Sequence, residues 1–232
     1  MTSSRARSSY ASERAICVLL ISVAARGAEA RAPETGALAG RVQLMKDGQP
    51  RDEHFGVVIY LEGVPALPGR EAPAPTPVRQ IDKRFIPPVA VVQRGAVVDF
   101  PNEDRIFHNV FSVSNTAKFD LGLYKSGESK SASFSRAGVV NVYCNIHPEM
   151  IAQIVVVDGP YFAITDRDGN FRVDRIPAGS YPLVAWHPDG TETRRTIEIR
   201  AGSETRHELR MDVVERSKRH LRKDGTPYGR YR

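Results

Sequence analysis

Cysteine, histidine and helical periodicity are all scarce in this chain of 232 residues. There are two cysteines, Cys17 and Cys144. Cys17 falls in a segment that reads as cleavable, so Cys144 stands alone in the mature protein. In an oxidising compartment a solitary thiol is either a liability or a ligand. No long amphipathic helix pattern is present, whereas Val-rich alternating runs recur between turns supplied by 16 Pro and 18 Gly. This excludes a helical bundle and points to an all-β chain. Beyond residue 30 no apolar run is long enough to cross a bilayer, so no integral membrane segment is expected.

Charge of one sign is also missing where it would matter. The total of +6 is concentrated at the two ends. Residues 1–30 hold four Arg against two Glu, and residues 215–232 hold seven Lys or Arg against two acids. Taking those ends from the total leaves about −1 on residues 31–214, which argues against a nucleic-acid-binding surface on the folded part. The N-terminal end has the form of an export signal. Arg5, Arg7 and Arg14 precede the apolar stretch Ala15 to Ala25, and Ala28-Glu29-Ala30 matches a small-x-small cleavage pattern. The expected mature start is near Arg31, and the expected location is periplasmic or secreted.

What the chain does contain is GVVNVYCNIHPEMIAQIVVV, Gly138 to Val157. Cys144, His147 and Met150 follow one another at intervals of three on a short loop between two β-rich runs. Soft sulfur with imidazole selects copper over most metals, and a long axial thioether completes a blue-copper site. Such a site needs a second imidazole, for which His108 in DFPNEDRIFHNVFSVS is the candidate. Zinc prefers Cys, His and carboxylates, and thioether is a poor ligand for it. A nucleophilic Cys144–His147 dyad would need an orienting acid, and none is evident in the sequence.

VVQRGAVVDFPNED, HNVFS and CNIHPEM, with the strand that follows, resemble the cupredoxins, the plastocyanin and amicyanin family of small blue-copper proteins. The likeness covers most of residues 78–157. The short Cys-x-x-His-Pro-x-Met loop is closer to that of amicyanins than to the longer plastocyanin loop. The resemblance implies a Greek-key β-sandwich holding one type 1 copper on His108, Cys144, His147 and Met150. Pro148 has no N–H to offer the Cys144 sulfur. The resemblance therefore gives that hydrogen bond to the backbone N–H of Asn109, with the Asn109 side chain joining the two ligand loops. It also implies that the edge of His147 lies in an apolar patch, to which Ile146, Pro148 and Met150 could contribute, and it hints at an amine-oxidising chain as electron donor.

The remaining stretches are β-rich as well. GALAGRVQL (36–44) and VVIYLE (57–62) read as strands separated by a turn at Asp47-Gly48. Residues 63–77 carry five prolines and form an extended linker. Phe119 to Gly127 reads as a loop. After Val157 come hairpins through YFAIT, FRV, SYPLVAWH, ETRRTIEIR and TRHELRMDV, with turns at Asp158-Gly159-Pro160 and Asp166–Gly169. TDRDGNFRVDRIPAGSYPLVAWH resembles carboxypeptidase-regulatory-like β-sandwiches, related in shape to transthyretin. The expected organisation is a split sandwich, 31–62 with 159–214, interrupted by the copper unit at 78–158. A simple tandem order is the rival. Asp166, Asp168 and Asn170 approximate a calcium-loop spacing, but Pro177 stands where the final Glu should be, so a hairpin turn is preferred. Trp186 reads as a core aromatic and His187 as an edge residue, His54, His207 and His220 as surface residues, and 215–232 as a disordered basic tail.

The expected function is one-electron transfer between two redox partner proteins, with no enzymatic activity. The alternative is a copper-binding or delivery protein, or a structural binding module, whose second sandwich holds a protein or glycan. A copper oxidase or nitrite reductase would need a second, histidine-rich site, and six scattered histidines do not supply one. The basic tail could make weak contact with an acidic partner or a membrane surface.

Overall fold

The computed structural model describes residues 34–214 and 219–229. The expected export segment lies outside the described residues. Every regular element among them is a strand, and no helix there is long and apolar enough to cross a membrane. The first group is β1 (Thr35–Lys46), β2 (Gln49–Pro50) and β3 (Val58–Leu61). The second comprises β4 (Arg79–Ile81), β5 (Arg84–Ile86), β6 (Val89–Gln93), β7 (Val97–Pro101), β8 (His108–Val113), β9 (Lys118–Tyr124), β10 (Ser129–Ser133), β11 (Gly138–Cys144) and β12 (Ile151–Val157). The third is β13 (Phe162–Ile164), β14 (Asn170–Pro177), β15 (Gly179–Trp186), β16 (Thr193–Ile199) and β17 (Glu204–Asp212).

The first and third groups share two sheets. In one, β1 lies between β14, antiparallel, and β17, parallel. In the other, β3 lies between β13 and β15, with β16 outside β15. Alternation along the strands sends Leu38, Val42, Leu44, Phe171, Val173, Leu209 and Met211 from one sheet against Ile59, Leu61, Leu183, Ala185, Ile197 and Ile199 from the other. This is the inner-face alternation of a β-sandwich. Gly40 faces the same way as Leu38 and Val42, and a Cβ there would come within 2.7 Å of the Phe171 ring. It would also clash with the His207 carbonyl oxygen on β17, so the position has no room for a side chain. Asp47 and Gly48 both have positive φ, which gives the tight β1–β2 turn its twist.

The second group builds another sandwich from contiguous chain. Its main sheet runs β6-β12-β11-β8-β9, and the β7–β10 pair covers it. Val98, Phe100 and Ala132 from the pair meet Val92, Val110, Val140, Val142, Ile154 and Val156 from the sheet. The stretch expected as a loop at Phe119 to Gly127 contains most of β9, which extends this sheet beyond β8. Its alternation of Phe119 and Leu121 with Asp120 and Gly122 is a strand pattern, obscured in the sequence by Gly122 and by short apolar spacing.

The two sandwiches meet through the opposite faces of their sheets. Val58, Val89, Val155, Val157 and Phe162 form a third buried cluster, flanked by Tyr60, Val91 and Trp186. This explains why β12 ends in an unbroken run of valines: Val156 faces its own core while Val155 and Val157 face the neighbouring sandwich. A strand buried on both sides loses polar alternation. Two histidines assigned to surface or edge positions are buried instead. His54 accepts a hydrogen bond from the Leu44 N–H at 3.1 Å through Nδ1, and His187 accepts one from the Asp189 N–H at 3.1 Å. Each ring supplies an acceptor to a backbone amide, one in β1 and one in the turn after β15. Asp166 is engaged within its own turn, its carboxylate accepting from Asn170 N at 2.8 Å.

Candidate metal centre

The site begins at the N-terminal end of β8. The loop ahead of it is braced by Asn102, a buried side chain whose amide donates to the carbonyls of Ile106 at 2.9 Å and Tyr124 at 3.2 Å and whose oxygen accepts from Asp104 N at 3.0 Å. That bracing brings the Asp104 carboxylate to 2.7 Å from His108 Nε2. The same carboxylate accepts from the N–H groups of Asp82 and Lys83 at 2.6 and 2.9 Å, in the β4–β5 turn. Burial opposes ionisation of Asp104, but the Lys83 N–H, the His108 ring and the Asp82 N–H outweigh it and hold the carboxyl below its usual range. An ionised carboxylate only accepts, so His108 Nε2 carries the proton and Nδ1 presents its lone pair. A register shift between Asn109 and Phe111 in the β8–β9 pairing re-aims β8 at this point.

The other half is the loop between paired residues Tyr143 and Ile151. Cys144 ends β11, and its N–H lies 3.3 Å from the Met150 carbonyl, while Met150 N–H lies 3.2 Å from the His147 carbonyl. The loop is tied to β8 by Asn145 N–H donating to the Asn109 carbonyl at 2.9 Å. Cys144 Sγ then sits 3.6 Å from His108 Nδ1 and 3.5 Å from His147 Nδ1. The three ligand atoms all lie within 4.8 Å of one another, the one such grouping of His, Cys and acids among the described residues. The His108 and His147 rings are 4.9 Å apart, tilted by 59°. Met150 is 1% exposed and belongs to the same core as Cys144.

These distances suit a shared ion. Metal bonds of about 2.0 Å to imidazole and about 2.3 Å to thiolate place N and S about 3.5–3.7 Å apart at angles between tetrahedral and trigonal. The electrostatics are of the kind a cation would resolve. Burial pushes the Cys144 thiol up, against backbone N–H groups of Asn109, Ile146 and His147 that favour the thiolate. Burial also pulls the His147 pKa down, helped by His108 and Lys83, which favours the neutral ligand form.

Asn109 and Pro148 take partly different roles from those the sequence reading gave them. The Asn109 N–H is among the backbone groups that favour the Cys144 thiolate. Its side chain, however, donates to Asp120 at 2.6 Å and ties β8 to β9. The two ligand loops are joined by its backbone carbonyl instead. Pro148 presents its carbonyl to the His220 N–H at 3.3 Å. Met150 adds nothing to a surface patch, since it is enclosed in the core, and Glu149 is exposed.

Two sets of residues escaped the sequence reading. Asp104, which holds the His108 ring, is the first; its signal is the four-residue spacing to His108. The second set belongs to the basic tail. Residues 215–218 and 230–232 lie outside the described residues, but 219–229 contact the loop, with His220 and Tyr228 partly buried and the rest exposed. The Tyr228 hydroxyl donates to the Cys144 carbonyl at 2.6 Å, and the Lys223 N–H donates to Asn145 Oδ1 at 2.9 Å. His220 stacks on Tyr143 at 4.4 Å between ring centres. Each contact is polar or aromatic, so no apolar periodicity marks the segment.

The family model for domain II of polysaccharide lyase family 4 matches residues 153–207. No curated protein matches the chain. Among solved structures, a reduced amicyanin variant is similar at 23% identity, over 43% of this chain and 98% of its own, with a TM-score of 0.34. A purple cupredoxin from Nitrosopumilus maritimus is similar at 24% identity, over 33% of this chain and 84% of its own, with a TM-score of 0.30. A copper-containing nitrite reductase from Thermus scotoductus SA-01 is similar at 27% identity, over 41% of this chain and 25% of its own, with a TM-score of 0.34.

Proposed function

We propose that this chain is an exported type 1 copper protein that carries single electrons between redox partner proteins and transforms no substrate. The observation that carries the reading is the convergence of Nδ1 of His108, Sγ of Cys144 and Nδ1 of His147 from two separate pieces of chain. Met150, buried beside them, is assigned as the weak fourth ligand. Copper bound there supplies a one-electron couple that tolerates a His–Cys–His arrangement in both oxidation states.

The protein's own residues set the conditions. Asp104 fixes the tautomer and plane of His108. Three backbone N–H groups around the Cys144 sulfur stabilise negative charge there. The hydrogen bonds of Cys144, Asn145 and Met150 hold the loop between two strands, so ligand positions change little when charge changes. His108 is enclosed whereas His147 is partly exposed, which makes His147 the ligand nearest a docked partner. Weak redox encounters use small interfaces. Export to the periplasm or beyond is supported by the pattern of residues 1–30.

The test is optical. Protein loaded with Cu(II) should show an intense thiolate-to-copper charge-transfer band, and Cys144→Ser should abolish it while leaving the β-sheet circular dichroism unchanged. A band that survives in that variant refutes the assignment. A weak, purely imidazole-type copper spectrum in the unaltered protein would favour delivery over electron transfer.

A further inference from the structure

We propose that residues 219–229 are a strap that positions the metal-binding loop, with His220, Lys223 and Tyr228 as its positioning residues. The segment is shaped before it touches the loop. Arg222 N–H donates to the Thr226 carbonyl and Gly225 N–H to the Arg222 carbonyl, each at 2.9 Å. Asp224 accepts from the Thr226 N–H at 2.9 Å and from its hydroxyl at 2.6 Å. The Arg222 guanidinium lies over the Tyr228 ring at 5.3 Å. A compact turn with its own bonds has already given up much of a free tail's conformational entropy.

The turn grips the loop along its length. Tyr228 takes the Cys144 carbonyl at 2.6 Å, and Lys223 N–H takes the Asn145 side chain at 2.9 Å. His220 N–H takes the Pro148 carbonyl at 3.3 Å, and its Nε2 lies 3.3 Å from the His147 carbonyl. The His220 ring sits between Tyr143, stacked at 4.4 Å, and Tyr228, edge-on at 5.4 Å. Lys223 Nζ pairs with Asp120, the same carboxylate that holds the Asn109 side chain. The strap therefore reaches both β8–β9 and the loop carrying Cys144, His147 and Met150. Outside the strands the loop's own backbone contributes only a few bonds, so the strap supplies much of what keeps three ligands in place.

The consequence for copper rests on the metal-centre reading, but the contact itself can be tested without metal. The experiment is amide hydrogen exchange on the metal-free, full-length protein and on the triple variant His220→Ala, Lys223→Ala, Tyr228→Phe. The variant keeps the bonds from the His220 and Lys223 backbone N–H groups and loses the Tyr228 hydroxyl bond, the His220 ring bond and the stacking on Tyr143. At roughly 2–10-fold per bond, exchange at Asn145 and Met150 should speed by about 4–100-fold. Exchange at Val140 and Ile154, in the core, should not change. In the copper-loaded proteins, release to a chelator should be about 10-fold faster in the variant. Equal loop exchange in the two proteins overturns the strap. Faster loop exchange in a protein that forms no thiolate–copper band leaves the strap standing and removes the electron-carrier reading.

Discussion

The Asp104 carboxylate lies 2.7 Å from Nε2 of His108, on the far side of the ring from the Cys144 sulfur. A ligand imidazole held this way cannot rotate or switch tautomer without breaking a charge-assisted bond. Replacing Asp104 with Asn removes the charge and leaves one acceptor oxygen for the ring and two turn amides. Copper affinity should fall by about 10–100-fold, measured by competition with a chromophoric chelator. Unchanged affinity would mean that the ring is oriented by packing alone.

Met150 is assigned as the axial ligand on its place in the loop and its burial. Met150→Gln should keep the charge-transfer band and lower the reduction potential, because an amide oxygen is a harder donor than a thioether. Voltammetry of the two proteins decides it. A potential that does not move would take Met150 out of the coordination sphere and leave it as core filling.

The contact between the two sandwiches is built from apolar side chains. Phe162→Ala opens a cavity beside Val58, Val89 and Val155. Unfolding free energy should drop by about 3–5 kcal/mol, the usual range for losing a buried Phe. Urea titration followed by fluorescence should show the loss. A change under about 0.5 kcal/mol, the size of an ordinary surface substitution, would mean that the interface contributes little.

His187 gives a pH dependence of known sign. Burial holds its pKa below the ordinary histidine value, with Asp189 opposing and nearby Arg51 reinforcing the shift. The unfolded chain therefore binds a proton at a pH where the folded one does not. Stability from this group is intact above the unfolded pKa, about 6.5, and declines as pH falls toward the lower folded value. His187→Asn keeps an acceptor for the Asp189 N–H and removes the titration. Its stability loss between pH 7 and pH 5 should be smaller than that of the unaltered protein. Equal losses would place the acid sensitivity elsewhere.

Strand-by-strand, most of the β architecture was legible, because period-two alternation is local and survives translation into residues such as Leu38, Val42 and Leu44. The spacing of Cys144, His147 and Met150 was legible for the same reason, since one loop carries all three. His108 could be chosen because so few histidines compete. What the sequence hid was whatever depends on how a loop bends or on which backbone group a side chain meets. Asp104 is an ordinary loop acid until Asn102 bends it back toward His108. The burial of His54 depends on the Leu44 amide that it satisfies. Several of the tail's bonds, from Tyr228 and His220, run to backbone carbonyls, which have no residue signature at all.

The parallel pairing of β1 with β17 has a bearing on how the molecule assembles. Ala37 meets Glu204 across that ladder, so the sheet cannot close until segments far apart in the chain have found each other. The unit formed by β4 to β12 has no such wait, because its strands are contiguous. Long-range closure is slow and local closure fast. The contiguous sandwich should thus gain order ahead of its host, drawing the two flanking stretches together as it does so.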